Sequence, residues 1–453
     1  MPCSGRRPAA WLGMERGHRP IVILPAVLKL NPLLARLSGQ CILTKRHLKP
    51  PARYRHTGCI CPQNGLLRPV AGRQGGDGAL PEKVRHVLTL RQKFDNQYLH
   101  RSQIKTEQIP PLLSNLLPEG TLRNWLALQL KCHVNHEFAL LAYLGMNLSG
   151  AIQAAPIPVG EVPVWALSQR LSTEPWSVEV QHAGLQFSLA GVQMKFSSSE
   201  IDGRYMVNQE LGSDIWIIKT PSIVHKGVTV NEYSCMKLAA AVGIEVPEIR
   251  LISLDTIDGL PNIQLPDEPF AYAIKRFDRD GQGRIHTEDF AQIMGLYPLD
   301  KYQKINYEQL AEVLYRSSKL SEIQQLARRL LVNVLLGNGD AHLKNWSIIY
   351  RDRFNPSLTP LYDVLFTKPY IKSDSLALNL AGTKNWYGIS WDTFQVWAKK
   401  AQLPWMAIKP HLEETLELAR AEWPQMLDSL PMLPEHQLAL KEHWGALHTN
   451  FKI

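Results

Sequence analysis

Asp340, His342, Lys344 and Asn345 fall within six positions of the stretch LLGNGDAHLKNWSIIY, residues 335–350. A long apolar run enters this loop and apolar residues follow it, so an acid, an imidazole, an ammonium and an amide share one short segment walled by hydrophobes. Asp340 and Asn345 stand five apart, a spacing at which a loop can aim both side chains at one point. The acid can accept or orient a hydroxyl proton, and the amide oxygen can ligate a hard cation. Eighteen residues beyond Asn345, TPLYDVLF supplies a second acid, Asp363, at the end of an apolar strand-like run. An Asp for the nucleophile, an Asn and an Asp for Mg2+ and a Lys for phosphates form the parts list of phosphoryl transfer, in which a protein mostly positions and neutralises.

Asp-x-x-x-x-Asn is also the spacing of the protein-kinase catalytic loop. Alone it is weak, because two residue types five apart arise often by chance and a solvated polar loop accounts for them. The lysine lies upstream. DIWIIKT ends a β-branched, aromatic run at Lys219, and thirteen residues later Glu232 opens the helical pattern NEYSCMKLAAAVG. A Lys at a strand end and a Glu early in a helix can pair across a lobe and hold a phosphate contact; the plainer alternative is an edge-strand surface lysine. For a phosphate cradle the candidate is FSLAGVQMKF, residues 187–196, with one glycine where protein kinases carry three. Backbone N–H groups of a tight turn at Ala190, Gly191, Val192 and Gln193 can bind phosphate oxygens, and Lys195 adds charge. Ser188 offers a loop hydroxyl open to phosphorylation. The bland reading of this segment is a hairpin turn with a lysine.

The elements that must position these groups divide the chain in four. Residues 1–85 have scattered prolines, many arginines and little periodicity, and read as a basic, poorly ordered extension. Residues 86–155 read as a small N-terminal subdomain with helices over 122–131 and 137–144, the second stopped by Gly145. Residues 156–275 turn to strands, in QMKFSSS, RYMVNQE, IWIIK, EIRLISL and FAYAIKRF, around one helix over 231–243 closed by Gly243. Residues 276–453 are mostly helical, with helices expected over 308–315, 323–336, 411–422 and 435–444. A strand-rich lobe carrying one helix, followed by a helical lobe, is an α+β two-lobed arrangement.

Bulk properties narrow the options. Residues 1–91 hold 16 Lys and Arg against 3 Asp and Glu, whereas the rest of the chain holds 34 against 38. The net charge of +9 therefore belongs to the N-terminal segment, which weakens a whole-protein case for nucleic-acid binding. Six cysteines in 453 residues make no disulfide scaffold, so a reducing cytoplasm is expected. Cys59 and Cys61 with His47 and His56 fit no common zinc spacing. No apolar run reaches the roughly 18 residues of a membrane helix, and Pro25, Lys29 and Pro32 break the nearest one. DRDGQGRIHTED, residues 278–289, imitates a calcium loop, with Asp278, Asp280 and Gln282 at positions one, three and five, Gly283 at six, Ile285 at eight and Asp289 at twelve. Its last position lacks the longer Glu, and FAYAIKRF before it alternates like a strand, so a hairpin joining the lobes is preferred.

Taken in order, NLLPEG (115–120), SLAGVQMKF, IIK, NEY, KRFDR, GDAHLKN and LYDV resemble the HipA-family kinases, the toxins of bacterial HipBA-type toxin–antitoxin modules. The resemblance covers roughly residues 86–450, and implies a two-lobed protein-kinase-like fold with an extra N-terminal subdomain. It implies that Asp340 positions a substrate serine hydroxyl, that Asn345 and Asp363 bind Mg2+, and that Lys219, paired with Glu232, contacts ATP phosphates. Residues Gly191 to Lys195 would form the phosphate loop, and the backbone of Lys275, Arg276 and Phe277 the hinge to adenine. Ser188 matches the loop serine that family members autophosphorylate. His342 and Lys344 would shape the loop or face phosphate. The implied partners are a HipB-like DNA-binding antitoxin, through which alone DNA is met, and a protein substrate such as an aminoacyl-tRNA synthetase. The first 85 residues have no counterpart in the family pattern, and a strand-rich opening is missing before FDNQYL. Two other readings stand beside this one: a small-molecule phosphotransferase of aminoglycoside-kinase type, and a non-catalytic kinase-fold binding module.

Overall fold

The computed structural model describes residues 21–23, 28–30, 41–43, 89–95, 108–156, 176–178, 194–207, 215–260, 264–281 and 283–453, with backbone alone for 21–23, 28–30, 41–43, 146, 155–156 and 176–178. Short runs of β-forming residues make strands where the sequence leads one to expect little order: β1 (Ile21–Ile23), β2 (Leu28–Leu30) and β3 (Cys41–Leu43). β2 is central, hydrogen-bonded to β3 and to β4 (Ala154–Pro156), while β1 pairs with β5 (Trp176–Val178). Long-range pairing, which no local periodicity announces, is what orders these triplets.

The N-terminal subdomain has its own core. Short helix α2 (Pro111–Ser114), α3 (Gly120–Gln129) and α4 (Glu137–Leu144) bury Leu112, Leu113, Leu117, Leu126, Leu140 and Leu141 together. Buried Glu137 ties them by accepting from the Ile109 N–H (3.0 Å), the Ser114 hydroxyl (2.8 Å) and the Arg123 guanidinium (3.0 Å). α1 (Arg91–Phe94) precedes them.

The next lobe is a six-stranded sheet with one helix. Its strands are β6 (Lys195–Ile201), β7 (Arg204–Met206), β8 (Trp216–Lys219), β9 (Ile249–Ser253), β10 (Ile257–Asp258) and β11 (Phe270–Lys275), in the spatial order β10-β7-β6-β8-β11-β9. Side-chain alternation sorts its two faces. Trp216, Ile218, Ala271 and Ala273 pack outward with Tyr205 and Ile252. Ile217, Tyr272 and Ile274 pack the other way, into the main core, where α5 (Val228–Ala241) lies. Gly227 precedes α5 at φ 70°, a left-handed turn in which a Cβ would also strike Leu433.

The helical lobe holds most of the core. It comprises α6 (Phe290–Met294), α7 (Tyr307–Ser317), α8 (Leu320–Leu335), α9 (Trp391–Lys400), α10 (Trp405–Ser429) and α11 (Pro434–Ala446). A small antiparallel sheet sits among them: β12 (Thr287–Asp289), β13 (Ser347–Ile349) and β14 (Ser357–Leu358). α8 is amphipathic at its start and wholly buried from Leu326 to Leu335, so it delivers the chain to the 335–350 loop on a rigid, enclosed rod. α10 packs against both α8 and α5, which locks the two lobes' helices together. Among the described residues no helix is long and apolar enough to cross a membrane.

Candidate active site

Strand register puts two lysines and a tyrosine in one rank. Lys195 of β6 stands opposite Lys219 of β8, and Lys219 opposite Tyr272 of β11, and directly opposed residues share a face. That face is the one α5 covers. Like charges opposite each other repel, so the rank requires an anion. Two arrive. Glu232, on the second turn of α5, meets Lys219 Nζ at 2.5 Å, and Asp363 accepts from Lys219 as well. Asp363 also takes Lys195 Nζ at 3.2 Å. Burial alone would lower Lys219, but Asp363 and Glu232 outweigh it and hold the ammonium protonated. Burial likewise opposes charge on Asp363, yet Lys195 and Lys219 keep it far below the usual carboxylate range.

Asp363 reaches this rank through an irregular backbone. The sequence suggests a strand through TPLYDVLF; the structure instead puts Asp363 at φ 59°, in the left-handed region. Asn231, the neighbour of Glu232, explains how the turn is held. Its amide pairs with both backbone groups of Phe366, Nδ2 to the carbonyl and Oδ1 from the N–H, each at 2.9 Å. One helical turn of α5 thus fixes both the partner of Lys219 and the segment after Asp363.

The loop after α8 is built by saturating its own backbone. Asn338 accepts from the Asp340 N–H (3.0 Å), and Thr367 accepts from the Gly339 N–H (2.7 Å) while donating to Gly337 (3.0 Å). A Cβ on Gly339 would lie 2.2 Å from Asp374 Oδ1, so any larger residue beside Asp340 would have to displace the Asp374 carboxylate. Tyr307 and Trp346 both donate to the Ala341 carbonyl at 3.0 Å. Asn345 Nδ2 donates to the Asp340 carbonyl at 2.7 Å, which commits the amide nitrogen and leaves the amide oxygen for ligation. The Asp340 side chain remains 41% exposed, so its carboxylate is open to a substrate. Burial raises its pKa; the Tyr302 hydroxyl, which donates to Oδ1, opposes the shift, and the charge of Asp363 adds to it. That coupling puts Asp340 and Asp363, both on the helical lobe, within electrostatic reach of each other.

Three of the residues expected at the nucleotide have side chains that are engaged or uncharged within the protein. Lys344 Nζ bonds Glu119 at 2.5 Å and the Asn115 carbonyl at 2.9 Å, both in the N-terminal subdomain. His342 carries no positive charge to offer, because burial and neighbouring Lys301 push its pKa down to about 3. Lys275 sends its side chain to Glu248 at 3.2 Å, and the N–H groups of Lys275 and Arg276 donate to the Glu248 and Ile215 carbonyls. Phe277 follows at the end of β11 with its ring 5.5 Å from that of Tyr362. Ser188, Ala190, Gly191, Val192 and Gln193 lie outside the described residues.

The calcium-like loop is a hairpin, bridged between Arg279 and Arg284 and entered from strand β11. Gln282 lies outside the described residues, and Asp278 is spent on arginines. Arg276 takes both its oxygens at 2.9 Å, Arg279 meets it at 2.8 Å, and the Gly150 N–H at 2.7 Å links it to the N-terminal subdomain.

Two contributors carry no sequence signal of function. Tyr302 reaches Asp340 from a loop 38 positions away. Glu119 lies in NLLPEG, but only the fold pairs it with Lys301 (2.9 Å) and Lys344, which overcome the penalty of burial and hold it at about 2.

A strand-borne lysine paired with a helical glutamate, facing a helical lobe that presents Asp340, Asn345 and Asp363, defines a two-lobed kinase-like protein. Residues 87–155 match the HipA N-terminal domain, and residues 187–423 match the HipA-like C-terminal domain. The chain belongs to the HipA family. It is 41% identical over 72% of its length to a Sinorhizobium fredii protein named "Putative kinase Y4dM", covering 78% of that protein. It is 25% identical over 58% of its length to the serine/threonine-protein kinase toxin HipA of Shewanella oneidensis, covering 64% of it. The fold matches a solved structure of the Shewanella oneidensis HipA, HipB and operator DNA complex, at TM-score 0.56 and 22% identity over 76% of this chain and 84% of that one.

Proposed function

We propose that the protein is an ATP- and Mg2+-dependent serine/threonine protein kinase, acting in the cytoplasm as the toxin of a type II toxin–antitoxin module. The observation that carries this reading is the sharing of Asp363 by Lys219 and Lys195 within reach of Asp340. The residues fit the absent groups chemically. The Asp363 carboxylate and the Asn345 amide oxygen are hard oxygen donors of the kind Mg2+ takes, and the two ammonium groups suit phosphates. When bound, Mg2+ offsets the charge of the phosphates.

The remaining work falls to the chain. Lys219 and Lys195 orient the phosphates, and Glu232 holds Lys219 at the rank. Asp340 accepts the proton of the substrate hydroxyl. The hinge at 275–277 borders the base. Serine/threonine specificity rests on the name of the Shewanella relative. A HipB-like antitoxin as partner, with DNA met only through it, rests on the HipA, HipB and operator DNA assembly whose HipA this fold matches. Autophosphorylation at Ser188 and a substrate such as an aminoacyl-tRNA synthetase rest on the motif resemblance.

Labelled ATP and Mg2+, added to purified protein with a whole-cell lysate, test the reading. Label should enter protein, and Asp340→Asn should slow transfer by about 10²–10⁴-fold, the usual worth of a general base. Equal labelling by both proteins removes the assignment, and label found only on small molecules turns it toward the aminoglycoside-kinase type.

A further inference from the structure

Lys301 and Tyr302 have no part in the reaction as described, yet two bonds tie them to the catalytic loop and a third to the N-terminal subdomain. The Lys301 carbonyl accepts the Leu343 N–H at 3.2 Å. The Lys301 Nζ bonds Glu119 of the N-terminal subdomain at 2.9 Å. The Tyr302 hydroxyl donates to Oδ1 of Asp340. The tyrosine ring meets His342 edge to face at 4.9 Å, and Lys301 Nζ lies 5.4 Å from its centre on the other contact. His342 Nε2 is 3.9 Å from the same Oδ1, too long for a hydrogen bond, and its neutral ring supplies no charge.

We infer that Tyr302 is a positioning residue for Asp340: its hydroxyl occupies Oδ1 and thereby presents Oδ2 to the substrate hydroxyl, while Glu119 holds Lys301 and Tyr302 in place from the N-terminal subdomain. The inference rests on the kinase reading above. A carboxylate that reaches solvent, as Asp340 does, turns freely unless one oxygen is fixed, and misplacing a reacting group by about 1 Å costs roughly 10²-fold in rate. The N-terminal subdomain is in this view part of the catalytic apparatus, since Glu119 reaches Lys344 in the loop as well as Lys301 beside Tyr302.

Tyr302→Phe keeps the ring and removes only the hydroxyl. In the labelled-ATP assay it should lower kcat about 10–100-fold and leave KM for ATP unchanged, because no nucleotide contact is touched. Glu119→Gln should lower kcat in the same direction by a smaller factor. A merely structural tyrosine would instead lower the melting temperature and spare kcat. Full kcat in Tyr302→Phe, or a raised one, overturns the inference while an inert Asp340→Asn leaves the kinase reading standing. Wild-type transfer no faster than that of Asp340→Asn overturns both. Thermal melts of Tyr302→Phe, Asp340→Ala and the double variant test the contact without activity. Melting-temperature losses that fail to add support it, and additive losses overturn it.

Discussion

Asp278 and Asp363 are each a carboxylate held by two cations, one buried and one partly exposed, and the cations differ. Around Asp278 stand two arginines, Arg276 at 2.9 Å on both oxygens and Arg279 at 2.8 Å, with the Gly150 N–H at 2.7 Å. Its side chain is 7% exposed, and planar forks with a backbone donor fill its acceptor positions. Around Asp363 stand two lysines, compact point charges on flexible stems, and Lys195 is 46% exposed. Among the described residues the Asp363 carboxylate keeps 20% of its surface open. Equal charge counts therefore yield a clamp at one place and an exchangeable site at the other, and the difference lies in donor geometry and enclosure.

The largest expected effect falls on activity at the lysine-held acid. Asp363→Asn removes the carboxylate that faces both lysines, and kcat should fall by at least about 10²–10³-fold, as when a preorganised electrostatic group is lost. Stability should change little, since Lys219 keeps Glu232 and Lys195 reaches solvent. Labelled-ATP kinetics and a thermal melt of the same preparation check both halves. Asp278→Asn should reverse the pattern. It takes the counter-charge from two enclosed guanidinium groups, so it should cost about 3–5 kcal/mol in chemical denaturation. The folded fraction should keep the wild-type kcat. If Asp278→Asn spares stability but stops turnover, the distinction between clamp and site collapses.

The two acids were not equally legible beforehand. Lys219 and Glu232 follow from a strand end and a helix start, because period-2 and period-3.6 patterns are local. The 335–350 loop stands out because polar residues interrupt an apolar run. Asp363 was legible as a residue but not as a conformation: an apolar run suggests a strand, whereas Asn231, far off in sequence, holds it in an irregular turn. The calcium-like spacing around Asp278 misleads for the same reason, since its partners Gly150 and Arg276 lie outside the motif. Lys344 stands beside Asp340 in the sequence as a residue that shapes the loop or faces phosphate, and only the fold reveals its contact with Glu119, 225 positions away. Helix α10 shows tertiary packing overriding a local signal. Pro410 and Pro424 suggest a helix confined between them, yet it runs Trp405–Ser429 because Ile408, Leu412, Leu416, Trp423 and Leu427 bury one continuous stripe.

Another carboxylate, the buried Glu288, sharpens the comparison because among the described residues no cation pairs with it. It accepts from the Leu90 N–H at 2.8 Å and the Tyr350 hydroxyl at 2.9 Å, and burial pushes its pKa up to about 7. His286 stacks on Tyr350, and adjacent Asp289 is itself raised by burial to about 6. In the folded protein Glu288 holds its proton to a higher pH than in the unfolded chain. Between the ordinary glutamate value and about 7 the native state therefore binds more protons, and stability falls as pH rises through that window. The loss is at most about 4 kcal/mol, at 1.36 kcal/mol for each pH unit between the ordinary glutamate value and about 7. Glu288→Gln, neutral at every pH, should flatten most of that slope in urea titrations at pH 5, 6 and 7, and Asp289 should leave a residual slope of the same sign. An unchanged slope would mean that Glu288 is ionised in the folded state. Enclosure without a cation would then not suffice to keep a carboxyl neutral in this protein, and the contrast between arginine-closed and lysine-open acids would have to be drawn from exposure alone.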